Sequence, residues 1–216
     1  MPPCRFSWRI SLSPWIGCAL LIFSGNSLAA EGKSLFTLCS ECHGSKGEGN
    51  ATLNSPAIAG QDAAYLERQL ANFRSGRRGV HKSDSIGAQM RAAATAMLAD
   101  EADDAKVAAY IATLPKTTVS APARGDLHNG NNQYQGKCGA CHGGAAEGNA
   151  ALKAPRLAGL DTVYIKRQFA HFRDAVRGAD AQDIPGRQMA MMAKTLPTER
   201  DLDDVIAFIH QLGRAK

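Results

Sequence analysis

Two segments of the chain carry the same stripe. In residues 62–75, Tyr65, Leu66, Gln69, Leu70 and Phe73 fall on one side of a 3.6-residue period, and residues 161–174 repeat the arrangement with Tyr164, Ile165, Phe169 and Phe172. Spacings of three and four predict a helix in each segment with one face turned to a core. A second pair of stripes predicts a closing helix for each half, marked by Val107, Tyr110, Ile111 and Leu114 and then by Leu202, Val205, Ile206, Ile209 and Leu212. Nowhere does a period of two run long enough to predict a strand, so the fold class expected is all-α.

The repetition extends well beyond the stripes. Laid on itself at an offset of 99, the sequence matches without a gap from Cys39 for fifty residues, pairing Cys39 with Cys138, His43 with His142, Pro56 with Pro155, Gly60 with Gly159, Gln69 with Gln168 and Met90 with Met189. Past the methionines the offset becomes 98, so that Tyr110 corresponds to Phe208. A period this long means duplicated domains and not a solenoid. The stretch from Pro115 to Pro122 ends a helical pattern and reads as a linker, which divides the chain into residues 30–118 and 119–216. Each half has few large apolar residues and so a thin core, which a buried, flat, apolar cofactor would fill.

Residues 1–29 stand apart as a secretory signal peptide. Arg5 and Arg9 precede an apolar stretch from Trp15 to Phe23, and Ser27 and Ala29 provide the small pair for cleavage after Ala29. An uncleaved anchor is the alternative, but the apolar stretch is shorter than the roughly 20 residues that span a bilayer. Cleavage leaves 23 basic against 20 acidic residues, a net charge too mild to indicate nucleic-acid binding. It also removes Cys4 and Cys18, so an exported chain retains four cysteines, a number that ordinarily suggests two disulfides.

Here each cysteine pair is followed at once by histidine. Cys39-Ser-Glu-Cys42-His43 and Cys138-Gly-Ala-Cys141-His142 are both Cys-x-x-Cys-His, the attachment sequence of c-type haem. One helical turn separates the thiols, letting each form a thioether with a haem vinyl group, while the next residue presents imidazole to the iron. Two rival readings exist. A zinc site would have to join knuckles 99 residues apart, and a dithiol redox site needs a strand-helix-strand setting that neither half predicts.

A thioether is the expected sixth ligand of an electron carrier, because it favours reduced iron. The candidates are Met90 and Met97 in the first half and Met189, Met191 and Met192 in the second. Met90 and Met189 alone are equivalent in the repeat, each 47 residues beyond its histidine, and the others read as flexible core filler. Pro56 and Pro155, each 13 residues past the histidine, are candidates to present a backbone carbonyl to the imidazole, or simply to shape a turn. Arg68, Arg74, Arg167 and Arg173 recur as possible partners of haem propionates or as solvated surface charges, and His81, His128, His171 and His210 read as surface or internally satisfied histidines.

The order Cys-x-x-Cys-His, Pro-x-Ile/Leu-Ala-Gly, Tyr-x-x-x-Gln, Gln-Met and a closing helix, present twice, resembles the dihaem class I cytochromes c of the cytochrome c4 type. The resemblance implies two tandem class I cytochrome c domains related by pseudo-twofold symmetry, and two covalently bound haem c groups whose propionates face the domain interface. It implies iron ligation by His43 with Met90 and by His142 with Met189, with carbonyls supplied by Pro56-Ala-Ile-Ala-Gly60 and Pro155-Arg-Leu-Ala-Gly159. One departure is the extra residue between Met90 and the closing helix.

The function expected is therefore periplasmic electron carriage without catalysis, freely diffusing or loosely membrane-associated, between a respiratory donor such as a cytochrome bc complex and a terminal oxidase or reductase. A dedicated cytochrome subunit of a periplasmic dehydrogenase and a dihaem peroxidase are the alternatives. The halves differ in charge, with 10 basic and 10 acidic residues in 30–118 against 13 and 10 in 119–216. That contrast, and the differing segments Arg77-Arg78 with His81-Lys82 and Val176-Arg177 with Asp180-Ala181, predict different docking partners and different reduction potentials for the two haems.

Overall fold

The computed structural model describes residues 24–118 and 123–214, and among them every regular element is helical. The first half contains α1 (Ser24–His43), α2 (Ala63–Arg74), α3 (Ser85–Met97) and α4 (Glu101–Thr113). The second contains α5 (Leu127–Lys137), the short α6 (Gly139–His142), α7 (Thr162–Arg173), α8 (Ile184–Ala193) and α9 (Glu199–Arg214). The apolar stretch of the expected leader and residues 119–122 of the expected linker lie outside the described residues, whereas residues 24–29 open α1. Among the described residues no helix is long and apolar enough to cross a membrane.

Aspartates start most of these helices. Asp62, Asp84, Asp100, Asp126, Asp161 and Asp183 occupy the N-cap positions of α2, α3, α4, α5, α7 and α8, each accepting a backbone N–H of the first turn. In each half the opening helix crosses the closing one at a glycine. A Cβ on Gly32 would run into the Lys106 carbonyl, and one on Gly130 into that of Asp204, so both crossings need the bare backbone. The first core gathers Phe36, Leu66, Leu70, Phe73, Val107 and Ile111, and the second Tyr134, Ala146, Ala158, Val205 and Ile209.

The stripes on α2 and α7 serve two surfaces. Leu66, Leu70 and Phe73 enter the core, but Gln69 interrupts them and, with Tyr65, turns toward the other half. Two of the contacts between halves form a reciprocal pair, as a pseudo-twofold axis requires, whereas those of Gln61 and Arg77 have no counterpart, since Leu160 and Val176 stand at the equivalent positions. Arg68 donates to the Lys153 carbonyl (2.7 Å) and Arg167 to that of Asn54 (2.8 Å), two equivalent loop positions. Gln61 donates to the Arg156 carbonyl (3.0 Å) and accepts from the Arg156 N–H (2.9 Å). Arg77 donates to Gln182.

Candidate functional site

Each half encloses a cleft, about 1290 Å³ in the first and 1360 Å³ in the second, counted out to the open mouth. Cys39, Cys42 and His43 line one, and Cys138, Cys141 and His142 the other. In the first half this motif is the last turn of α1. In the second, α5 ends at Lys137 and the motif runs through Cys138 into α6. The four thiols are unpaired. Burial pushes those of Cys39 and Cys138 up to about 11, so they stay protonated, unlike the low-pKa thiolates of a dithiol redox centre. The two pairs lie in separate clefts and do not join into one zinc site.

After each histidine the chain turns back under it. The Gly49 N–H donates to the His43 carbonyl (2.7 Å) and that of Gly148 to His142 (2.8 Å). Both glycines have positive φ, 88° and 86°, and a Cβ on either would press against the backbone of the proline loop, so this return needs glycine. It brings the Pro56 carbonyl to 2.8 Å from His43 Nδ1 and the Pro155 carbonyl to 2.9 Å from His142 Nδ1. Each Nδ1 must carry its proton to make that bond, which leaves the Nε2 lone pair for a metal. Both imidazoles are buried, and burial, opposed by the carbonyl bond, holds them below the ordinary histidine range, in the neutral form that binds metal.

Met90 on α3 and Met189 on α8 line their clefts and are half-buried. Met97 and Met192 also reach the lining but are 37% and 39% exposed, and Met191 is 65% exposed and outside it. The rest of each wall is mostly apolar, with Phe73, Val107 and Ile111 in the first half and Phe172, Val205 and Ile209 in the second. Two thiols one turn apart, an imidazole with a free Nε2, a thioether and a large apolar cleft fit a covalently attached haem in both halves.

The four recurring arginines of the sequence already have protein partners. Arg68 and Arg167 clamp the interface, Arg74 pairs with the buried Asp104 (3.0 Å), and Arg173 pairs with Asp174 and Glu199. His210 is buried, accepting from the Ala123 N–H (2.8 Å) at Nδ1 and donating to the Leu160 carbonyl (3.0 Å) from Nε2. His171 lies across the interface, with Nδ1 3.8 Å from Asp84. Sequence reasoning missed the central group of the interface, in which Arg78 and Arg177 each donate to both Gln69 and Gln168. The available signal was a glutamine repeated inside an otherwise apolar stripe, and an arginine repeated at the same offset.

The cytochrome c family profile matches this chain twice, over residues 29–115 and 127–213. The chain is 33% identical over 192 residues to the thiosulfate dehydrogenase electron acceptor of Stutzerimonas stutzeri, covering 80% of this chain and 84% of the relative. It is 30% identical over 177 residues to cytochrome c4 of Azotobacter vinelandii, covering 77% and 81%. The structure of cytochrome c4 from Acidithiobacillus ferrooxidans superposes with a TM-score of 0.66 at 25% identity, covering 81% of this chain and 98% of that one.

Proposed function

Because the chain belongs to the cytochrome c family, we propose that it is an exported, periplasmic electron carrier with one covalently attached haem c in each of its domains, residues 30–118 and 119–216. Cys39 and Cys42 hold the first haem, with His43 and Met90 as iron ligands, and Cys138, Cys141, His142 and Met189 do the same for the second. The observation that carries this reading is the whole donor set, thiols, carbonyl-bonded imidazole and thioether, occurring at equivalent places in two apolar clefts.

The haem supplies a one-electron couple, and the residues around it set its working conditions. The Pro56 and Pro155 carbonyls fix the imidazole tautomer and orientation. The thioethers favour reduced iron, and the apolar walls keep water away and so disfavour the more highly charged oxidised state. Two protein ligands per iron leave no open position for a substrate, which suits electron transfer and not bond chemistry. The partners we assign are a respiratory donor such as a cytochrome bc complex and a terminal oxidase or reductase. A second reading, a dedicated cytochrome subunit of a periplasmic dehydrogenase, draws support from the relative named as an electron acceptor of thiosulfate dehydrogenase.

Protein film voltammetry with a peroxide assay tests this proposal. It predicts two one-electron waves per chain and no catalytic current on adding peroxide. A single wave, or sustained peroxide turnover, contradicts it.

A further inference from the structure

The peptide group that joins Pro155 to Arg156 is hydrogen-bonded on both sides. Its carbonyl accepts from His142 Nδ1 (2.9 Å), and its N–H donates to Oε1 of Gln61 (2.9 Å), a side chain of the first half. Gln61 Nε2 donates in turn to the Arg156 carbonyl (3.0 Å), so the side-chain amide spans Arg156 as a neighbouring strand would. Only one orientation of that amide fits, because Oε1 also accepts the Asp62 N–H (3.1 Å) while Nε2 faces a carbonyl. Gln61 is 7% exposed, so water competes little for these bonds. The linker holds the same loop from outside: Arg156 Nη2 donates to the Thr117 carbonyl (3.0 Å), and a Cβ on Gly159 would lie 2.2 Å from that oxygen.

The first half has no such support. Ala57 stands where Arg156 does, and among the described residues nothing accepts from its N–H. Leu160, at the position equivalent to Gln61, carries no polar atom in its side chain. The two histidine bonds have nearly the same length, 2.8 and 2.9 Å, so the difference between halves lies on the far side of the peptide. Hydrogen bonds in a chain polarise one another, and an acceptor on the N–H of a peptide makes its carbonyl a stronger acceptor in turn. A stronger acceptor at Nδ1 makes the imidazole more basic at Nε2. A more electron-rich imidazole stabilises oxidised over reduced iron.

Resting on the dihaem reading, we propose that Gln61 is a positioning residue of the second haem site: from the first half it holds and polarises the Pro155–Arg156 peptide, and so fixes His142 and lowers the reduction potential of the second haem. Nothing equivalent acts on the first. The two loops that carry the histidine carbonyls are thereby joined, since Gln61 ends the run that begins at Pro56 and grips the other loop one residue past Pro155.

The test is a redox titration of the mature holoprotein followed by NMR, which resolves the two haems, for the parent, Gln61→Met and Gln61→Glu, with haem content measured first. Gln61→Met keeps the length and bulk of the side chain without its hydrogen-bonding atoms. It is expected to raise the second haem's potential, to leave the first's unchanged, and to move the His142 Nδ1–H resonance of the reduced protein upfield while that of His43 stays. Gln61→Glu puts charge on the acceptor and is expected to move the His142 resonance downfield of the parent's, again with His43 unmoved. If Gln61→Met does not mature, Gln61→Glu decides, and a His142 resonance that stays or moves upfield overturns the proposal. Equal shifts at both haems, no shift, or a changed potential with the His142 resonance unmoved in Gln61→Met also overturns the role of Gln61, while leaving the dihaem reading intact. Fewer than two haems on the parent chain overturns both.

Discussion

At the scale of single residues, what the sequence displays depends on how far apart the chemistry is written. The thiols and imidazole of each site fall within five consecutive residues, because thioether attachment and iron ligation on one face demand one helical turn. The distal ligand has no such constraint, and only the repeat singles out Met90 and Met189 among the methionines. Met90→Ala should remove about half of the near-infrared sulfur-to-iron band and Met189→Ala the rest, with Met97→Ala and Met191→Ala leaving it intact. Loss of the band in either of the latter would reassign the ligand. The burial of Arg78 and Arg177 was illegible for the opposite reason: it comes from contacts 90 and 108 residues away, and only their repetition at one offset marked them.

Asp104 gives a pH-dependent expectation at the same scale. Burial raises its carboxyl to about 6, with Arg74 at 3.0 Å opposing the rise. An unfolded aspartate titrates near 3.9, so between about pH 4 and 6 the folded chain binds the extra proton. Stability contributed by this group is therefore greatest at the acid end of that window and declines as pH rises through it. Asp104→Asn removes the titration, and a plot of melting temperature against pH should lose this descending component. An unchanged slope would mean that Asp104 ionises normally.

At the scale of elements, the helical periodicity located α2, α4, α7 and α9, since amphipathic faces are a local property of sequence, and it gave no stripe for α1, α3, α5 or α8. It assigned α2 and α7 wholly to the core, whereas Tyr65 and Gln69 serve the interface. The crossings of opening and closing helices rest on Gly32 and Gly130, which periodicity does not mark. Gly130→Ala would force a Cβ into the Asp204 carbonyl and should destabilise the protein by about 1–3 kcal/mol. Gly136, also on α5, has nothing within 4 Å of its would-be Cβ, and Gly136→Ala should be neutral or stabilise by up to about 1 kcal/mol. Thermal melts of the two variants check this, and equal losses would show that the crossing is not the reason for the glycine.

At the scale of the whole molecule, duplication explains both the two sites and the way they face each other. Equivalent residues meet across a pseudo-twofold axis, so Arg68 and Arg167, read from sequence as candidate propionate partners or solvated charges, each clamp a loop of the opposite half and line its cleft. The charge contrast between halves persists on the surface at Lys153, which is exposed, while Arg156 belongs to the interface through Gln61 and the Thr117 carbonyl.

The central claim, two covalent haem c groups on one chain, is tested most directly by stoichiometry. Mature protein extracted with acid acetone should keep two haems per chain, by alkaline pyridine spectroscopy and intact mass, and replacing Cys138 and Cys141 with alanine should leave one. One haem or none on the parent chain would contradict the account.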